Sequence, residues 1–235
     1  MKTGNNPSAR ETILASIRHS LRNTDPAPRT KTLAPKATGR PGETFAKAEL
    51  AYGFCSSLQA VGGQVHRTST CEEARACVLQ LVRTAAAKNV FSSNTPRLRD
   101  WLADEPVAVT VPGDERSRML EAEVGITEAQ FGIAETGTIV LTSDREEHRL
   151  ASLLPRTHIA LLFERDLIAG LGEALLKLQS EGIPPVVTFI TGPSRTGDIE
   201  LTLVVGVHGP EILHVVLVGD SSPAAQPGKP NTMGY

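Results

Sequence analysis

The sequence predicts an α/β fold built on an open, mostly parallel sheet and preceded by a helical arm. Two observations predict it. From Thr44 onward, short β-branched runs alternate with stretches of helical periodicity, the order that joins parallel strands through crossover helices. The chain's 235 residues are 40% hydrophobic, enough for one domain with a real core.

The elements follow in order. Ser8-x-x-Glu11 reads as a capping box before Ile13, Leu14, Ile17 and Leu21, which share one helical stripe. Asp25-Pro26-Ala27-Pro28 ends that helix. Residues 23–43, rich in Pro, Thr, Lys and Gly, read as a flexible linker, so residues 1–43 form an arm. The arm is either mobile or docks on a partner chain through its apolar stripe. The α/β domain spans 44–219. Helices are expected at 44–60, 71–87, 96–102, 114–123 and 165–180, the last with Leu167, Leu171, Leu175 and Leu178 on one face. Strands are expected at 63–67, 89–92, 107–111, 158–163, 185–191, 201–207 and 212–218, with β-rich text at 131–142. Residues 220–235, rich in Pro, Ser and Gly, read as a disordered tail.

Composition excludes several functions. The net charge of −2 provides no global field for nucleic acid or anionic membrane. Charge is uneven: residues 1–40 hold eight Lys/Arg against two Asp/Glu, and the remainder sixteen against twenty-four. Aromatics at 4% leave little to stack on bases. No apolar run approaches the ~20 residues of a membrane span, and the polar N-terminus has no signal-peptide core, so the expected location is the cytoplasm. Cys55, Cys71 and Cys77 lack metal-ligand spacing, and neither a disulfide framework nor a metal site is expected from them. There is no G-x-G-x-x-G after a strand, no H-E-x-x-H and no G-x-S-x-G. Gly132-x-x-x-x-Gly137-Thr138 has the spacing of a phosphate-binding loop but lacks its lysine.

Four segments carry chemistry. The first runs from Thr191 through Gly192, Pro193, Ser194, Arg195, Thr196 and Asp198 to Glu200, after an apolar strand. Such a turn offers backbone N–H groups, hydroxyls and one guanidinium, the groups that hold an anion, commonly at a helix N-terminus. The second, 131–141, suits a tight hairpin with Gly137 at positive φ and Glu135 at the tip, flanked by Thr136 and Thr138. There Glu135 is a base, a nucleophile or a gate, or else a solvated turn residue. The third, Ser152 to His158, leads into a strand, and His158 either accepts a proton or is a hydrogen-bonded structural residue. The fourth, Val207-His208-Gly209-Pro210, is a turn at which backbone and imidazole can approach a ligand.

In this order and spacing, GIAETGT, SLLP-x-x-HI, TGPSRT-x-DIE and G-x-HGP resemble the lactate-utilization protein C family, also called LUD-domain proteins, over roughly 44–219. The resemblance implies a three-layer fold like that of the sugar-phosphate isomerase and CoA-transferase group. It also implies a part in oxidising L-lactate to pyruvate alongside iron–sulfur partner proteins, with no cluster held by this chain.

On that reading the chain is a subunit of a lactate-oxidising system. Arg195 pairs with a carboxylate, and Glu135 or His158 accepts a proton. Thr136, Gly137, Thr138, Ser152, Thr191, Gly192, Ser194, Thr196, Asp198, His208 and Gly209 complete the ligand-binding set. The alternatives are a stand-alone enzyme on a phosphorylated or CoA-linked substrate that uses Glu135, and a non-catalytic scaffold. Glu135, Thr136, Ser194, Arg195, Thr196 and His208 are expected to converge, provided that an antiparallel element resolves one conflict: His158 opens its strand whereas Thr191 closes its own. The purified chain is expected to carry less than one equivalent of iron or zinc by elemental analysis. One equivalent, lost on Cys→Ser substitution, would contradict this.

Overall fold

A computed structural model of the protein describes residues 9–23, 47–143, 149–197 and 203–219. The chain divides into two compact units, Met1–Lys36 and Ala37–Tyr235. The first contains helix α1 (Ala9–Asn23), with Glu11 in its first turn. The proposed cap Ser8, most of the expected linker and the tail at 220–235 lie outside the described residues.

In the second unit six strands form one wholly parallel sheet: β1 (Gln64–Thr68), β2 (Asn89–Ser92), β3 (Ala108–Thr110), β4 (Val124–Glu128), β7 (Thr157–Phe163) and β12 (Ile212–Val218). Their order is β1-β12-β7-β4-β2-β3. All seven residues of β7 are buried, because the strand lies mid-sheet and is covered on both faces. One face packs under α3 (Cys71–Thr84) and α4 (Pro96–Leu102), where Val78, Leu98 and Trp101 meet Ile126, Ile159 and Val216. The other face meets α2 (Lys47–Ala60) through Phe54 and Leu58, and also Ile139 and Leu141 of a second sheet. Burying one such side chain is worth about 1.5–3 kcal/mol.

The second sheet has the order β8-β5-β6-β9, with β5 (Phe131–Ile133), β6 (Thr138–Thr142), β8 (Leu167–Ile168) and β9 (Val187–Ile190). Its outer face packs on α6 (Leu171–Glu181) through Phe131, Ile133, Val140, Ala174 and Leu178. A third pair, β10 (Arg195–Gly197) and β11 (Leu203–Val205), is an antiparallel ribbon.

The open, mostly parallel α/β class stands as predicted, with four differences in detail. The expected helix at 165–180 begins only at Leu171, because Leu167 and Ile168 extend alongside β5 and Gly170 precedes the helix. Its buried side is Ala174 and Leu178, whereas Leu171 and Leu175 are exposed. The expected helix at 114–123 shrinks to α5 (Arg116–Leu120), and β4 after it was not foreseen. The strands expected at 185–191 and 201–207 lie outside the main sheet, and the first runs antiparallel to β6.

Two glycines give opposite predictions. At Gly125 an added Cβ would fall on the backbone carbonyl of Ala151, which has no flexible end to yield. Gly125→Ala should therefore cost about 3 kcal/mol in urea unfolding. Gly53, inside α2, has its nearest atom to such a Cβ at 3.8 Å. Gly53→Ala should gain about 0.5–1 kcal/mol in the same assay.

Candidate functional site

The four chemistry-bearing segments gather at the amino edge of the six-stranded sheet. The second sheet brings them there. Glu128 closes β4 at the carboxyl edge, and β5 then runs back to place the hairpin turn 134–137 beside the end of α2. Gly137 takes φ 65°, and an added Cβ would strike the backbone of Leu58. β9, antiparallel to β6, delivers Thr191 to the same place. The conflict between His158 and Thr191 is thereby removed, since the two strands belong to different sheets.

Three hydroxyls form a chain there. Thr136 Oγ1 lies 2.6 Å from Thr138 Oγ1, which lies 2.7 Å from Thr191 Oγ1. Thr138 is buried between two exposed threonines. Three hydroxyls carry three donors and two contacts consume two, which leaves one O–H over, at an exposed end where Thr138 donates to either neighbour. Glu135 is exposed, and its backbone is pinned twice. Its N–H donates to Ala169 O at 3.0 Å, and its carbonyl accepts from Ser57 Oγ at 3.1 Å.

Arg195 reaches the same end of α2. Its Nη2 donates to Val61 O at 2.6 Å, capping the carbonyl end of α2 with a cation, which also suits the helix dipole. Gly192, at φ 106°, lets its turn approach Val61 closely. Thr196 pairs with Val204 in the β10–β11 ribbon. The turn at 191–194 therefore feeds a strand rather than a helix N-terminus. Asp198 and Glu200 lie outside the described residues.

Ser194 links this cluster to the last segment. Its N–H donates to Pro210 O at 2.8 Å, its carbonyl accepts from Gly206 N at 3.0 Å, and its side chain lies against Gly209. His208 and Gly209 line a cavity of about 530 Å³ with Leu153, Leu154, Arg156 and Glu211. Arg156 and Glu211 close one side through a 2.7 Å ion pair. Glu135, the three threonines and Arg195 do not line this cavity.

Two expected residues are placed differently. His158 is fully buried, with Nε2 2.8 Å from Thr127 Oγ1 and Nδ1 without a hydrogen-bond partner. Burial lowers its pKa to about 3, so it is neutral near neutrality and out of reach of a ligand. Ser152, also buried, donates to Arg149 O at 2.8 Å and closes a 3-10 turn. The residues not foreseen are Val61 and Ser57, which supply a carbonyl and a hydroxyl from the end of α2. The Gly62-Gly63 pair after that helix was the available signal that other backbone approaches there.

An open α/β sheet with a smaller sheet folded back to its amino edge defines the class of protein. The LUD domain family model matches residues 52–218, and the chain belongs to that family. It is 37% identical over 149 residues to lactate utilization protein C of Halalkalibacterium halodurans, covering 57% of this chain and 64% of that one. It is 35% identical over 145 residues to lactate utilization protein C of Bacillus subtilis, covering 59% and 57%. The same-named protein of Shouchella clausii is 43% identical over 103 residues, covering 42% and 45%. The chain thus spans less than two thirds of the length of these relatives. In fold it is similar to a DUF162 family protein from Deinococcus radiodurans, with a TM-score of 0.59 and 22% identity over 75% of this chain and all of that one.

The buried histidine predicts an acid-sensitive fold. Its folded pKa, about 3, lies below the unfolded value of 6.5, so the unfolded chain binds the extra proton. Its stabilising effect is complete above 6.5 and is lost progressively as pH falls towards 3. His214, lowered to about 4 by burial and then by neighbouring His66, acts in the same direction. Urea midpoints measured against pH should fall less steeply in His158→Asn than in the natural chain.

Proposed function

We propose that the chain serves L-lactate utilization as the component that holds a small carboxylate anion at the amino-edge cluster. Electrons leave through iron–sulfur clusters in partner proteins. What supports the reading is that the hydroxyl chain and Arg195 both lie at the end of α2 in a member of a family whose curated relatives carry the lactate-utilization name.

Lactate presents a carboxylate and an adjacent hydroxyl. Arg195 spends one donor on Val61 O, which orients the guanidinium, and a guanidinium has further N–H groups for a carboxylate. The spare donor of the threonine chain serves a second oxygen. Oxidation to pyruvate removes two electrons and two protons, and the exposed Glu135 carboxylate is the proton acceptor nearest in sequence to that chain. The cytoplasm is the proposed location. Among the described residues no helix is long and apolar enough to cross a membrane.

The test is growth of a deletion strain on L-lactate. Arg195→Ala should abolish growth while costing about 0.5–1.5 kcal/mol of stability, the value of its bond to Val61 O. Growth at the natural rate would defeat the reading and favour the scaffold alternative. A collapse in melting temperature that accounts for the growth defect would also defeat it.

A further inference from the structure

The main sheet has a second edge that this reading does not use. After β2 the chain crosses through α4 to β3. After β4 it leaves through the second sheet towards β7, on the other face. The connections therefore diverge between β2 and β4, and in open α/β sheets the crevice outside the carboxyl ends at such a point is where ligands bind. A cavity of about 420 Å³ lies there, within the size range of small-ligand sites. Its wall includes Pro96 and Arg97 after β2, Glu128 at the end of β4 and Ala129 after it, and Phe163 at the end of β7 with Arg165 and Asp166 after it.

Two guanidinium groups meet in this crevice. Arg97 Cζ lies 4.6 Å and Arg165 Cζ 4.1 Å from the centre of the buried Phe163 ring, which holds both by cation–π attraction. Each faces one carboxylate of the crevice at long ion-pair range. Arg97 Nε is 3.4 Å from Glu128 Oε1 and is buried, with no hydrogen-bond partner among the described residues, while Nη1 donates to Cys71 Sγ at 3.6 Å. Arg165 Nε is 3.8 Å from Asp166 Oδ2. Elsewhere in the domain, Arg67–Glu164 and Arg156–Glu211 close to 2.7 Å. The rim is held firmly. Ala129 N donates to Leu161 O at 2.8 Å, and the Gln130 amide donates to Glu128 O at 3.0 Å.

We propose that the crevice at the carboxyl ends of β2, β4 and β7 binds a phosphate ester of a small molecule, with Arg97 and Arg165 on the phosphoryl group. One guanidinium fork satisfies the two oxygens of a carboxylate, whereas two forks fit an anion with three free oxygens. Pro96 and Ala129 offer apolar contact, and the cavity leaves room for an organic body. This site is independent of the amino-edge cluster and of the lactate reading.

The experiment is a titration of the full chain followed by ¹H–¹⁵N NMR, with glycerol 3-phosphate, inorganic phosphate and L-lactate as separate probes. Saturable shifts are expected at Arg97, Ala129 and Arg165, tighter for the ester than for inorganic phosphate. Arg165→Gln should weaken ester binding at least about tenfold while its melting temperature stays unchanged. Four outcomes would overturn the proposal: no saturation with the ester, equal affinity for inorganic phosphate, unchanged affinity in Arg165→Gln, or ester shifts confined to Thr191 and Arg195. Lactate shifts at Thr191 and Arg195 would bear on the amino-edge reading alone.

Discussion

The seat of the 134–137 turn on helix α2 is the contact on which the amino edge depends. It exists because Gly137 has no Cβ and holds φ 65°, so its backbone lies against Leu58 with no room between. That approach fixes Thr136 and Thr138, and Thr138 fixes Thr191 through one hydroxyl contact. From Thr191 the chain passes Val61, which holds Arg195, and then Ser194, which holds the turn before β12. Any larger residue at 137 would displace a sequence of small polar contacts, each worth about 1 kcal/mol and none strong enough to re-form the edge alone.

The second sheet explains how catalytically useful residue types reach the amino edge of a parallel sheet. In a simple strand–helix alternation, the loops after each strand gather at the carboxyl edge, and the amino edge receives only helix exits. Here β5 and β6 interrupt the alternation between β4 and β7, and β9 extends their sheet. The hairpin is apolar on both faces, with Ile139 and Leu141 towards the main sheet and Val140 towards α6. Its burial stabilises it in place, and its turn becomes a rigid support for exposed polar groups.

Much of the class was legible, because strands such as 107–111 and 212–218 are largely apolar, β-branched runs that alternate with helical periodicity. The hairpin was legible because Glu-Thr-Gly-Thr between β-branched runs admits few conformations. What failed did so for identifiable reasons. Leu167, Leu171, Leu175 and Leu178 have helical spacing, yet edge pairing with β5 outweighed periodicity for Leu167 and Ile168. His158 looked available because sequence does not reveal that β7 lies mid-sheet, where its ring is sealed under Thr127. Arg97, Phe163 and Arg165 gave no joint signal, since only strand order brings them together.

Strand order also bears on how the domain can be made. β1 has one neighbour in the sheet, β12, and β12 lies between β1 and β7. The contact between His66 and His214 spans 148 positions. During synthesis, residues 64–68 must therefore wait unpaired while most of the domain emerges, and α3 cannot bury its full face until residues 212–218 arrive to support Val216 and Val218. A ribosome-bound chain of this protein is thus an incomplete sheet with one open slot. Its final assembly is an insertion rather than an extension, a long-range closure that favours slow folding and gives chaperones a defined interval in which to act.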